Sequence, residues 1–184
     1  MSVPVTEGVC SPMDVAPIRS RMALFGHPIH PMLIHFPVAA LLGLIGTDIG
    51  YALTGDSFWA RAGTWLAAIG MLGGWFSGLI GVLDLVLVRE IRRLVIAWCH
   101  GIMAVMLLSL ATLNWLLRLG DVEGLIIPWG LYVSLLSGVM ISITSFLGGQ
   151  LVYDHAVGVA AEKSINRARR NEKIRNIEED RLVD

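Results

Sequence analysis

The stretch His27-Pro28-Ile29-His30-Pro31-Met32-Leu33-Ile34-His35-Phe36-Pro37 holds three of the chain's five histidines and three of its seven prolines, and it runs directly into a long apolar segment. Proline has a fixed φ and no backbone N–H, so it suits the first turn of a helix and not the interior. The stretch therefore reads as the start of a helix. Residues 31–53 supply 23 positions of apolar character, about 34 Å of helix at roughly 1.5 Å per residue, enough to cross a hydrocarbon core of about 30 Å. The histidines thus lie where a helix enters a membrane, and ionisable groups in that setting face a partner, a cofactor or a water-filled cavity.

Working outward, the composition agrees. Of 184 residues, 55% are hydrophobic and 16% charged, and the mean hydropathy is +0.67. That balance belongs to a membrane protein, whose first partner is the lipid bilayer. A net charge of -1 gives no sign of a nucleic-acid partner. Residues 1–26 mix Pro, Ser, Glu and Asp without a sustained period and contain no apolar core of signal-peptide length, so they are expected to be a retained, partly ordered tail.

Three further spans follow the first, at residues 62–88, 94–117 and 125–152. Gly70, Gly74 and Gly78 recur every four residues in the second, a spacing that lets helices approach closely in lipid. Pro128 opens the fourth, which carries a stripe of Ser134, Gly138, Ser142, Ser145 and Gly149. Of the 14 basic residues, 12 fall on the side that holds both termini, leaving Arg61 and Arg118 opposite. The positive-inside rule then makes both termini cytoplasmic. Trp59, Trp65, Trp115 and Trp129 are expected to belt the far side, and Cys10 and Cys99, on the cytoplasmic side, to be thiols. The expected fold is all-α: an integral, multi-pass four-helix bundle over residues 27–159, followed by a charged helical or docking tail at 160–184.

All five histidines fall towards the cytoplasmic side. In an up-down-up-down bundle the first and third helices are diagonal, as are the second and fourth. His35 is then expected to face His100, and His155 to face Asp84. Facing imidazoles on separate helices are the axial ligands that a b-type haem needs, and the chain has no Cys-x-x-Cys-His for a covalent attachment. Gly81, Gly101, Ala39 and Ala104 are placed to make room for a porphyrin. His27 and His30, set between prolines at the interface, read first as caps or headgroup contacts. His30 and His155 remain as substitutes or as ligands of a second haem. The same set of His35, His100, His155 and Asp84 would suit an iron, copper or zinc ion, or Asp84 could orient a ligating ring from behind. Asp48, on the opposite side, reads as a polar contact within the bundle or an interface residue.

Two motifs carry a resemblance. His27-Pro28-x-His30-Pro31-x-x-x-His35-Phe36-Pro37 and Gly148-Gly149-x-Leu151-Val152-Tyr153-x-His155-x-Val157-Gly158-Val159 look like the two signatures of the bacterial four-helix membrane family known as domain of unknown function 2231. The similarity covers residues 27–159. Where the family pattern has His-Gly, this chain has His155-Ala156. Some relatives are joined to Rieske-type iron-sulfur domains or placed beside dehydrogenases, which implies electron transfer.

Together these readings lead to a membrane electron carrier that binds haem b and exchanges electrons between a redox protein and quinone or a cytochrome, a redox subunit more than a stand-alone enzyme. Two alternatives stand beside it: a metal-ion binding or transport protein, and a structural subunit of a respiratory or photosynthetic membrane complex docked through the charged tail.

Overall fold

The computed structural model describes residues 18–120 and 123–158. The expectations for residues 1–17, including Cys10, and for the charged tail at 160–184 lie outside the described residues. Four helices are long and apolar enough to cross a membrane. The first span joins α1 (Ile29–Leu33) to α2 (His35–Thr54), α3 (Ser57–Leu87) is the second, and the short α4 (Arg89–Arg92) leads to α5 (Val95–Leu117). The fourth passes through an irregular turn at Ile126–Gly130 into α6 (Leu131–Tyr153). Helix α2 packs on α3 and α6, and α5 packs on the same two, so the first and third spans are diagonal as expected.

Local chemistry sets the boundaries. The first span is irregular at Ile34 because Pro37, having no N–H, gives the Leu33 carbonyl no donor four residues on. Gly55, at φ +66, ends α2 with its N–H on the Tyr51 carbonyl at 2.8 Å. The next residue, Asp56, caps α3 by accepting from the Phe58 N–H at 2.8 Å. The second span therefore starts earlier than hydropathy suggests, and Trp59 lies inside it, packed so closely on Gly50 that an added Cβ would stand 2.8 Å from its ring. Trp65 and Trp129 are exposed like belt residues, whereas Trp59 and Trp115 turn inward. Regular helix in the fourth span begins only at Leu131, since Ile127 is extended (φ -111, ψ 123), as residues before proline are.

Leu41, Leu44, Ala67, Met71, Leu107, Ala111 and Ile141 form the central core. The glycine stripe packs there as read: a Cβ on Gly70 would stand 2.6 Å from the Leu41 side chain, and one on Gly74 2.3 Å from Leu108. On α6 the inward face is Ser134, Ser137, Ile141 and Thr144, with Ser142 and Ser145 exposed. Of the expected stripe, Ser134 is buried and Gly138 packs so closely that an added Cβ would stand 2.8 Å from the Ile45 side chain, whereas Ser142, eight residues beyond Ser134, has drifted about 80° out of that face.

Residues 18–28 pack against the basic end of the bundle. Ile18 pairs with Val157, its N–H donating to the Ala156 carbonyl at 3.1 Å and its carbonyl accepting from the Gly158 N–H at 2.8 Å. A two-residue hairpin, β1 (Ala23–Leu24) with β2 (His27–Pro28), then delivers the chain to α1.

Candidate histidine site and the opposing ion-pair layer

His30 and His100 meet across the bundle diagonal, ring centres 6.3 Å apart and planes at 82°. Each ring is held by the neighbouring span. His30 Nδ1–H donates to the Ser77 carbonyl on α3 at 2.8 Å, and His100 Nδ1–H donates to the Thr144 carbonyl on α6 at 3.0 Å. A carbonyl can only accept, so in the neutral ring both protons lie on Nδ1 and both Nε2 atoms keep their lone pairs. Fixing one ring nitrogen on a backbone carbonyl is how proteins orient a metal-ligating imidazole. All four spans thus contribute to one layer. Two glycines set the rings' positions: a Cβ on Gly81 would stand 3.1 Å from His30 Nδ1, and one on Gly148 3.1 Å from His100 Cε1.

The expected partner of His100 was His35, and the geometry corrects this. His35 is five residues beyond His30, about 140° around the helix, and it is exposed beside the exposed Phe36. Of the expected small residues around the rings, Gly81 is in place, Gly101 packs towards Leu85, and Ala39 is exposed. Gly148 was missed.

Asp84 does not support a histidine. It is buried, and its carboxylate accepts from the Ser20 hydroxyl, from the Arg21 N–H at 2.8 Å and from the Met22 N–H at 2.9 Å. It fastens the N-terminal segment to α3. His155 lies in the turn after α6, half-buried, next to Ala156 at φ +50. His27 is exposed in the hairpin, and Cys99 is an exposed free thiol. Among the described residues no group of three or more His, Cys, Asp or Glu gathers as a metal-ligand set.

A second polar layer lies at the far end, where Asp48 and Arg118 form an ion pair at 2.8 Å with both side chains 1% exposed. Arg118 Nε donates to Asn114 Oδ1 at 2.9 Å, Asn114 Nδ2 donates to Ser134 Oγ at 2.8 Å, and Ser134 Oγ donates to Asp48 Oδ2 at 2.5 Å. This ring of bonds ties the first, third and fourth spans. Arg118 Nη1 is the one buried side-chain polar atom without a partner among the described residues. The third span was expected to end at residue 117, leaving Arg118 beyond it, yet Arg118 follows His100 by 18 residues, five full turns at about 3.6 residues each, and so shares its inward face.

Residues 26–161 match the family described as predicted membrane protein DUF2231. The chain belongs to this family. The match takes in the whole bundle, both histidines of the pair and the Asp48–Arg118 layer. No curated protein and no solved structure matches the chain.

Proposed function

We propose that this DUF2231 protein is an electron carrier that holds a b-type haem between His30 and His100. The observation that carries the reading is the count and placement of ligands: two inward imidazoles from opposite helices, with unprotonated Nε2 atoms and no third ligand group among the described residues. Zinc and non-haem iron take three or four ligands from protein. A haem brings four nitrogens of its own and needs only the axial pair. The ring centres lie 6.3 Å apart, so one group held between the helices would be within reach of both imidazoles.

When bound, the haem supplies one-electron chemistry. The chain's part is to hold both rings in the Nδ1–H tautomer through Ser77 and Thr144, to place them through Gly81 and Gly148, and to shield them with apolar helices. The layer lies at the basic end of the bundle, which in a bacterial inner membrane faces the cytoplasm, so a redox protein there and quinone or a cytochrome are the exchange partners that suit it.

The test is an absorption spectrum of the detergent-purified protein, expressed with adequate haem supply, oxidised and dithionite-reduced, with metal analysis. A Soret band, α and β bands that sharpen on reduction, and one iron per chain are expected. His30→Ala and His100→Ala each abolish the low-spin spectrum, while His35→Ala retains it. A colourless protein, or one carrying stoichiometric zinc or copper without haem, overturns the reading.

A further inference from the structure

The β1–β2 hairpin presents a side chain whose position the chain's own packing does not explain. Phe25 at its tip is 93% exposed and has a φ of +50, followed by Gly26 at +83. A two-residue turn of this kind needs left-handed backbone at both central positions, which Asn, Asp or Gly adopt most easily and a bulky aromatic adopts under strain. The strain gains no contact within the core.

The tip is also held firmly. Just before it, Ser20, Arg21 and Met22 are fastened to Asp84, and just after it the Ile29 N–H donates to the Met22 carbonyl at 2.9 Å. Ile29 is the first residue of the first span, so the hairpin leaves the bundle at the level where hydrocarbon gives way to headgroups. Leu24 beside it is exposed, as are Met32 and Phe36 on the lipid-facing side of the same span, and Tyr153 where the fourth span ends. Arg21 and His27 flank the turn and are exposed as well.

We propose that the hairpin is a preset interfacial anchor, which inserts Phe25 and Leu24 into the boundary between headgroups and acyl chains of the adjoining leaflet, with Arg21 directed to lipid phosphates. Aromatic rings favour this boundary and basic side chains favour anionic headgroups. A rigid hairpin pays the ordering cost before insertion. Leu24 and Phe25 lie just ahead of a membrane span whose own exposed residues, Met32 and Phe36, are apolar, which favours the lipid leaflet over a protein as occupant.

The test uses full-length protein in vesicles of phosphatidylcholine and phosphatidylglycerol, with Cys10→Ser and Cys99→Ser and a nitroxide attached at Leu24→Cys. Collision with oxygen is expected to exceed collision with an aqueous nickel chelate, while a label at Glu90→Cys in the short helix α4 stays open to nickel. Phe25→Asn, which suits the turn and so folds, is expected to lower the oxygen-to-nickel ratio at position 24 several-fold. Free access of nickel with Phe25 intact overturns the proposal, as does protection that appears only in native membranes, which would assign the tip to a protein partner.

Discussion

The two polar layers of the bundle are built on the same helix faces and differ in what they leave unused. Asp48 follows His30 by 18 residues and Arg118 follows His100 by 18, so each layer takes one residue from the first span and one from the third, about 27 Å apart along the axis. At the far end Asp48, Asn114 and Ser134 answer one another and two of the three guanidinium nitrogens, in a site closed to solvent. At the basic end each histidine uses one nitrogen and keeps the other's lone pair. A closed layer fixes how helices pack; an open one can take a ligand. Between them Leu41, Met71, Leu107 and Ile141 form an apolar plug, which makes a continuous polar track for ion transport a poor account of this interior.

That comparison breaks most sharply at Asp48. Asp48→Ala leaves the Arg118 guanidinium buried and unpaired, which is expected to cost about 3–5 kcal/mol of stability, whereas the double variant Asp48→Leu, Arg118→Leu recovers much of the loss because no charge stays behind. Thermal unfolding in detergent measures both. If the far layer serves packing only, the double variant keeps whatever haem spectrum the parent protein shows under the proposed function; a spectrum lost in the variant alone would mean that the two layers act together.

Asp84 is the next largest. Its carboxylate holds three donors from residues 20–22, all part-buried at the end of the bundle, so water recovers much of what each donor loses when the carboxylate is removed. Asp84→Ala is expected to cost about 2–3 kcal/mol and to speed hydrogen exchange at the Arg21 and Met22 amides. A metal-site role would instead leave those amides protected and change the metal content.

Gly148 sharpens the histidine layer itself. Gly148→Ala brings a methyl group within 3.1 Å of His100 Cε1 and turns the ring away from its set direction. Displacing an orienting contact weakens ligand affinity by about 10–100-fold, so if the site holds the proposed haem, its retention on dilution is expected to fall while the melting point of the ligand-free protein changes little. Equal losses in both would make Gly148 a packing residue alone.

Much of this was open to sequence reading, and the rest failed for identifiable reasons. Hydropathy and turn residues locate the four spans because lipid demands long apolar helices. The histidine layer follows from counting depth. The choice of His30 over His35 needed a helical phase, and a phase marker was present: Asp48 is a polar residue far inside an apolar run, and five turns back from it lies His30. The same count from His100 reaches Arg118. Asp84 could not be read this way, because its partners are the hydroxyl and amides of residues more than sixty positions earlier in a segment with no period.

The smallest expected effect concerns Ala156. Its φ of +50 places it in the left-handed region, where a Cβ is crowded by the following carbonyl at a cost of about 1–2 kcal/mol. The backbone keeps this conformation because the Ala156 carbonyl accepts from the Ile18 N–H and the Val157 N–H donates to the Leu151 carbonyl at 3.0 Å, so relaxing φ would break the clasp between the two ends of the bundle domain. Ala156→Gly removes the crowding and gives back part of the gain as extra freedom in the unfolded chain. The net expectation is a stabilisation of about 0.5–1 kcal/mol, a change opposite in sign to the losses expected at Asp48 and Asp84. A melting point that falls instead would mean that the Ala156 methyl packs on a neighbour and that the clasp depends on the side chain as well as the backbone.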